Sequence, residues 1–221
     1  MATYSYSAIK DFQGCARRYY QVRVLRRFRS QPTEATLYGE RVHKAFELYL
    51  TEGTPLPEDL QRHESLMKTI ASMSGVLSCE LKLGMRKDFT PCAFDAPEVW
   101  IRGIPDVLVI NEAKHMARCI DFKTGKSARF ADTAQLELMA ALVMVHYPAV
   151  ALVKGLLAFV VAGNVVKTEH TREQLPDILS RWAGYVDRIG NATDVNTWNP
   201  TPSGLCKFCP VSQDVCEYRS G

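Results

Sequence analysis

Two short apolar runs at the centre of the chain predict an antiparallel β-hairpin. They span residues 104–110 and 117–123, and the polar sequence Asn111–His115 separates them. Strands with a polar turn between them pair with each other, because each strand alone leaves its backbone hydrogen-bonding groups unpaired. If the turn is centred between Ala113 and Lys114, residues whose numbers add up to 227 face each other across the hairpin.

This register places the carboxylates of Asp106 and Asp121 opposite each other. Directly opposed side chains have Cβ atoms about 5 Å apart, and a like-charge pair at that distance is costly unless a cation lies between the two groups. Side chains alternate along a strand, so Lys123 shares a face with Asp121. Carboxylate oxygens favour hard divalent cations such as Mg²⁺ or Mn²⁺. The residues alone leave one alternative open, in which Asp106 merely begins a strand and Asp121 and Lys123 form a solvated polar edge.

Predicted helices and strands alternate over the rest of the chain. Helical patterns occupy residues 7–25, 37–50, 58–73, 131–145 and 171–189, and strand-like patterns occupy 76–83, 98–102, 151–161 and 165–169. This mixture predicts an α/β or α+β fold with a mixed central β-sheet flanked by helices. Because neither a repeat nor a long linker divides residues 1–221, we expect a single domain.

Composition and charge exclude several classes of protein. Hydrophobic residues make up 47% of the chain and charged residues 23%, which excludes disordered, collagen-like and disulfide-rich miniproteins. The formal net charge of +3 is too small to indicate a nucleic-acid partner by itself. Met1–Ser7 lacks the features of a secretory signal, and Pro148 interrupts the most apolar stretch, 138–163. We therefore expect a cytoplasmic protein with no membrane partner.

The small net charge includes a basic interval near the N-terminus. Residues 10–29 contain seven Lys or Arg side chains and a single acidic one. Aromatic rings are interleaved with them, and this combination suits a phosphate backbone and the stacked bases of a single strand. The candidate DNA-contacting residues are Arg17, Arg18, Tyr19 and Tyr20. The alternative is a solvated helix face whose charges pair with acids elsewhere.

Three of the seven cysteines, Cys206, Cys209 and Cys216, fall within eleven residues of an irregular C-terminal segment. In a reducing compartment, metal ligation or burial is expected rather than a disulfide framework. A structural zinc site takes four Cys or His ligands, and an iron–sulfur cluster usually takes four Cys. Because no histidine follows His170, a fourth ligand has to come from an earlier part of the chain.

The sequences Gly103-Ile-Pro-Asp106 and Ile120-Asp121-Phe122-Lys123-Thr124-Gly125 resemble the core motif of the PD-(D/E)xK nuclease superfamily, in its RecB-like branch. The resemblance implies a restriction-endonuclease-like core. It also implies that Asp106 and Asp121 ligate a catalytic metal ion and that Lys123 assists the nucleophile. A carbonyl near Phe122 completes the metal shell in this family.

Two further positions match the same branch. Gly39 to His43 fits a G-x-x-x-H helix whose histidine is a further metal ligand, and Ala134-Gln135-Leu136 resembles a motif whose glutamine supports the active site. The family often has a tyrosine four residues after this glutamine, whereas this chain has Met139. Without the resemblance, a structural histidine and an exposed helical glutamine are the favoured interpretations of His43 and Gln135.

The N-terminal sequence Gly14-Cys15-Ala-Arg-Arg-Tyr19-Tyr20 resembles a segment of RecB-like nucleases that carry a four-iron cluster. In those proteins, one N-terminal and three C-terminal cysteines enclose the nuclease core. The resemblance implies a [4Fe–4S] cluster held by Cys15, Cys206, Cys209 and Cys216, with residues 1–30 and 200–221 joined in one lobe. Zn²⁺ at the same cysteines is the alternative.

The order of these motifs implies a metal-dependent DNA exonuclease that acts in recombination, repair or the processing of phage or CRISPR DNA. Its implied substrate is DNA, either a single strand or a duplex end. A recombination or CRISPR-adaptation protein is the implied partner. The alternative is a catalytically weak nuclease fold that serves as a DNA-binding or adaptor protein.

Overall fold

The computed structural model describes residues 2–129 and 131–219, which divide into two compact units. Unit 1 comprises residues 1–3 and 33–179, and unit 2 comprises residues 4–32 and 180–221. Unit 2 thus contains both segments of the predicted cluster-bound lobe except residues 1–3, and it also contains residues 31–32 and 180–199. The assignment of residues 1–221 to one nuclease domain stays a prediction.

Six α-helices and eight β-strands lie within the described residues. The helices are α1 (Tyr6–Gly14), α2 (Ala16–Tyr19), α3 (Glu34–Glu52), α4 (Glu64–Ala71), α5 (Ala134–His146) and α6 (Leu175–Asp194). The strands are β1 (Val76–Cys79), β2 (Leu83–Met85), β3 (Pro91–Cys92), β4 (Ile101–Gly103), β5 (Val107–Asn111), β6 (Met116–Lys123), β7 (Leu152–Phe159) and β8 (Asn164–Thr171). No helix in the described part of the chain is both long and apolar enough to cross a bilayer.

A mixed five-stranded sheet in the order β1-β5-β6-β7-β8 forms the centre of unit 1, which confirms the predicted fold class. Only β6 and β7 are parallel, and α5 provides the crossover that a parallel pair requires. The hairpin register is the predicted one, since Val107 pairs with Ile120. The turn is a short 3₁₀-helix, and the Asn111 side chain accepts a hydrogen bond from the backbone N–H of Lys114.

The core of unit 1 lies on both sides of the hairpin. On one side, α3 contributes Val42 and Phe46, which pack with Phe122 and other residues of the sheet. On the other side, α5 is buried around almost its whole circumference because it packs against both the main sheet and a smaller sheet, β3-β2-β4.

Three predicted elements differ from the structure. The strand predicted at 76–83 splits into β1 and β2, because Glu80 adopts a left-handed φ of 50° and the chain then enters the second sheet. The helix predicted at 7–25 is capped by Ser5 and breaks at Cys15, whose backbone is extended. The helix predicted at 58–73 begins as a 3₁₀-helix over Glu58–His63.

Unit 2 packs around the ring of Trp198. Tyr20 stacks on this ring with the centroids 4.6 Å apart and an interplanar angle of 13°. Tyr19 lies 6.1 Å away in a second stacked arrangement, and Phe12 meets the ring edge-on. After α2 the chain forms a single π-helical turn over Tyr20–Val24.

Arg172 fixes the C-terminal end of α5. Its guanidinium donates hydrogen bonds to the carbonyl oxygens of Met144 and Tyr147, at 3.0 and 2.9 Å, and to that of Val150. The last carbonyls of a helix have no partner within the helix, and Pro148 has no N–H to offer the Met144 carbonyl, so Arg172 satisfies a group that would otherwise remain unpaired. The same helix begins beside the end of β6.

We expect Arg172→Ala to lower the free energy of unfolding by about 2–4 kcal/mol, because it leaves buried carbonyls unsatisfied. Urea denaturation measures this change. Lys167→Ala removes an exposed positive charge from β8 and serves as the matched control, with an expected change below about 0.5 kcal/mol. Equal effects of the two substitutions would contradict the capping role.

Candidate active site

The hairpin brings Asp106 and Asp121 to one edge of the main sheet. Asp106 immediately precedes β5, and the register of Val107 with Ile120 makes Asp106 and Asp121 the next pair. The backbone N–H of Phe122 donates to Asp106 Oδ2 at 2.6 Å. Asp121 is only 5% exposed, so one of the two carboxylates lies in the protein interior.

Lys123 and Gln135 form a closed hydrogen-bonded group with Asp121. Lys123 Nζ donates to Gln135 Oε1 at 2.9 Å, and Gln135 Nε2 donates to Asp121 Oδ1 at 2.5 Å. Lys123 Nζ also lies 2.7 Å from Asp121 Oδ2. Gln135 reaches this position because α5 is the crossover after β6, so its first turn lies at the strand end that carries Lys123.

His43 approaches the site from α3. Its Nδ1 lies 3.3 Å from Asp106 Oδ1. The hydrogen bond to Asp106 raises the pKa of His43, and burial opposes this shift. A backbone hydrogen bond with Phe122 raises the pKa further; only a carbonyl oxygen has that effect on an imidazole, so the Phe122 carbonyl faces the same ring.

Gly39 allows α3 to approach the end of β6. A Cβ atom at this position would lie 3.2 Å from Thr124 Oγ1, closer than ordinary van der Waals contact. The glycine of the predicted G-x-x-x-H segment therefore has a physical role, which is close packing of the helix that carries His43. Any larger side chain would push this helix away from the strand.

Burial and charge repulsion act together on Asp121. Burial and the neighbouring charge of Asp106 both raise the pKa of its carboxyl group, to about 6 in all. Lys123 and His43 oppose the shift without cancelling it. The positive charges of Lys123 and His43 thus only partly offset the repulsion between the two carboxylates and the cost of burying one of them.

The donor set fits a hard divalent cation. Asp121 Oδ2 is buried, and the Lys123 ammonium group lies 2.7 Å from it. Two carboxylates, an imidazole and a carbonyl are groups that bind Mg²⁺ or Mn²⁺. Within residues 2–129 and 131–219, no three His, Cys, Asp or Glu side chains are placed to share one ion.

Glu80 is an acidic neighbour that sequence reasoning missed. Its backbone N–H donates to the Asp106 carbonyl at 3.1 Å, which continues the antiparallel pairing of Cys79 with Val107. Burial raises the pKa of Glu80, and the charges of Asp106 and Glu47 raise it further. No local signal could have found this residue, because the pairing of β1 with β5 joins segments far apart in the sequence.

Met139 occupies the position where the family often has a tyrosine. Its side chain is 3% exposed and packs directly over Gly103, where an added Cβ would collide with the Met139 sulfur and terminal methyl. This residue belongs to the interface of α5 with the smaller sheet, and it contacts the core rather than solvent.

The four predicted cluster cysteines line one cavity of 390 Å³ in unit 2. Cys15 Sγ accepts hydrogen bonds from the backbone N–H groups of Arg18 and Thr201, each at 3.4 Å, and Cys206 Sγ accepts one from Ser203 at 3.3 Å. Among the described residues, these thiols do not form a group of three that could hold a metal ion.

The residues predicted to contact DNA have partners within unit 2. Arg17 donates to the carbonyl oxygens of Trp198 and Val215, at 2.9 and 3.2 Å. Arg18 forms an ion pair with Asp11. Tyr19 is 7% exposed, and Tyr20 stacks on Trp198. The DNA-binding role of these four residues stays a prediction.

Comparison with known proteins gives the same family as the hairpin motif. A model of the PD-(D/E)XK nuclease superfamily matches residues 3–76 and 75–217. The crystal structure of a "Putative exonuclease" from Eubacterium rectale aligns with a TM-score of 0.53 and 16% identity, covering 96% of this chain and 92% of that one. The crystal structure of SSO0001 aligns with a TM-score of 0.48 and 12% identity, covering 100% of this chain and 88% of that one.

The comparison with curated proteins finds no match. The family model, however, extends over almost the entire chain, and it includes the hairpin, the His43 helix and the terminal cysteines. This protein belongs to the PD-(D/E)XK nuclease superfamily.

Proposed function

We propose that this protein is a divalent-metal-dependent deoxyribonuclease that hydrolyses phosphodiester bonds from DNA ends. The observation that carries the proposal is the buried Asp121 carboxylate, which lies beside Asp106 and contacts both Lys123 and Gln135. Retention of such a group is costly for folding, and it is explained if the group binds a cation during catalysis.

The metal ligands would be Asp106, Asp121, His43 and the Phe122 carbonyl. A divalent cation bound there supplies positive charge for the phosphate oxygens and acidity for the attacking water. The Phe122 N–H holds Asp106, so that carboxylate is oriented before any ligand arrives. His43 is oriented in turn by its contact with Asp106.

Lys123 would act on the reacting phosphate and water. Its ammonium group is held by Gln135 and Asp121, and there it would offset the negative charge that develops on a bound phosphate. Gln135 is a positioning residue in this account, because it holds both Lys123 and Asp121 through one amide. A fixed geometry of this kind saves the entropy of orienting each group during the reaction.

Exonucleolytic action is the finer part of the proposal. The description of the Eubacterium rectale structure supports it, together with the resemblance to RecB-like exonucleases. Recombination, repair or phage and CRISPR DNA processing in the cytoplasm is the proposed setting. A partner protein would supply any DNA translocation.

We further propose a [4Fe–4S] cluster at Cys15, Cys206, Cys209 and Cys216. Support comes from the cavity that the four cysteines share and from the backbone N–H bonds to two of the sulfurs. Basic residues that line this cavity, among them Arg17 and Arg18, would offset the negative charge of a thiolate-bound cluster. The cluster would have a structural role, because it would join the two ends of the chain.

We expect Asp121→Asn and Lys123→Ala each to reduce DNA cleavage at least about a thousandfold, because each removes charge from the reacting centre. End-labelled single-stranded and duplex DNA, incubated with Mg²⁺, Mn²⁺ or EDTA, measures this loss. Asp95→Asn and Lys167→Ala are the matched exposed controls and should retain full activity. A wild-type protein that binds DNA but leaves it intact with either metal would instead be an adaptor.

We expect Gln135→Ala to slow cleavage by about 10–100-fold, as for other groups that orient metal ligands. Loss of the donated hydrogen bond also raises the pKa of Asp121, so the acid limb of the pH–rate profile moves to higher pH. Gln135→Glu is isosteric but places a third negative charge beside Asp121, and it should move the limb further. An unchanged limb in both variants would contradict the positioning role.

Anaerobically purified protein should contain about four iron and four sulfide ions per chain. Cys209→Ser should lose most of this iron, whereas Cys92→Ala, which changes a buried thiol outside the set, should retain it. Elemental analysis and sulfide titration measure both. Stoichiometric zinc without sulfide would replace the cluster by the zinc alternative.

A further inference from the structure

We propose that the irregular segment Arg26–Arg29 binds the phosphate backbone of a DNA strand. The three side chains that would bind the phosphates are Arg26, Arg27 and Arg29. This inference rests on the proposed function, because it assumes a DNA substrate. It replaces a broad basic interval, residues 10–29, by one defined element.

The structure divides the basic interval into two classes of side chain. Arg17, Arg18 and Arg23 are engaged within unit 2, the first with two backbone carbonyls and the other two with the carboxylate of Asp11. Such groups have already exchanged water for protein partners. Their use on DNA would require these partners to be released, so their net gain on binding is small.

The side chains of the second class have no protein partner among the described residues. Arg26, Arg27 and Arg29 are exposed, and no ion pair or side-chain hydrogen bond joins them to any other described residue. No acidic residue occurs between Val24 and Thr33, so this stretch carries three unopposed positive charges. An isolated cluster of guanidinium groups repels itself and is stabilised by an anion that bridges its members.

The backbone holds the segment in a defined path. The N–H of Leu25 donates to the Tyr20 carbonyl at 2.8 Å, and that of Arg27 donates to the Gln21 carbonyl at 3.0 Å. Between these bonds, Arg26 adopts a φ of 55°, a conformation that residues other than glycine rarely take. This unfavourable backbone conformation occurs at a residue whose charged side chain is exposed to solvent. Unfavourable conformations of this kind cluster at binding sites.

A phosphodiester strand is the occupant that fits these groups. Guanidinium groups bind phosphate oxygens through paired N–H donors, and successive phosphates of a strand offer several such anions in a row. Phe28, half-buried between the arginines, supplies a ring near the same path for a base of an unpaired strand. We therefore assign single-stranded DNA, or the single-stranded end of a duplex, to this segment.

The test is the salt dependence of DNA binding without catalysis. Anaerobically purified protein in EDTA is titrated against a fluorescein-labelled single strand, and anisotropy is read at several KCl concentrations. The test variant changes Arg26, Arg27 and Arg29 to Ala. The control variant changes the exposed Lys87, Lys114 and Lys167 to Ala, which gives the same formal net charge.

We expect the slope of log affinity against log salt to fall by about 2 in the test variant, since each phosphate contact to a single strand contributes about 0.7. Affinity at 0.1 M salt should fall roughly a hundredfold. The control should change the slope by less than one contact. Replacement of the three arginines by lysine should restore most of the slope, which shows that a loss in the alanine variant does not reflect misfolding.

An unchanged slope in the alanine variant, an equal loss in the control, or a wild-type protein that does not bind the strand would overturn the assignment. An acidic protein partner would be indicated if binding to DNA persisted unchanged. Cleavage is measured separately at saturating DNA with Mn²⁺. If the alanine variant loses the slope but the wild type does not cleave DNA, the nuclease proposal alone is refuted. If the wild type cleaves DNA and the alanine variant keeps the slope, this inference alone is refuted.

Discussion

The carboxylates of Asp106 and Asp121 meet at one edge of a hairpin, and one of them is almost fully buried. Their repulsion and the loss of hydration raise the pKa of Asp121 to about 6, well above its usual range. The charged form of this group is therefore unfavourable in the folded, metal-free protein. Its contribution to the free energy of unfolding declines as the pH rises from about 4 to about 6, because the unfolded chain releases the proton first. The site is built around this unfavourable charge.

The rest of unit 1 holds the pair in place. The parallel pairing of β6 with β7 requires a crossover helix, and that helix begins with the glutamine that bonds both Asp121 and Lys123. Arg172 fixes the other end of the same helix, and the smaller sheet covers its outer side through Gly103 and Met139. Packing at the far end of α5 thus helps to set the orientation of Gln135, Lys123 and Asp121.

Local patterns were sufficient for the hairpin and its chemistry. A two-strand register depends only on the turn between the strands, so the pairing of Asp106 with Asp121 was predictable from the sequence. The neighbourhood of Glu80 was not, because β1 pairs with β5 over a long sequence separation. The break of the first helix at Cys15 was also missed, since helical periodicity continues through it. Likewise, a basic interval does not reveal which arginines already have partners; Arg17 and Arg18 do, and the arginines of Arg26–Arg29 do not among the described residues.

The free energy of unfolding of wild-type protein and Asp121→Asn, measured with urea at pH 7.5 in EDTA and in Mn²⁺, tests the central claim most directly. If Asp121 is a metal ligand whose negative charge is unfavourable without the metal, the variant is more stable than the wild type in EDTA, by about 1–3 kcal/mol. Mn²⁺ then stabilises the wild type by an amount that grows with the logarithm of its concentration, and it leaves the variant unchanged. Equal stability of the two proteins in EDTA, together with no response of the wild type to Mn²⁺, would contradict the account.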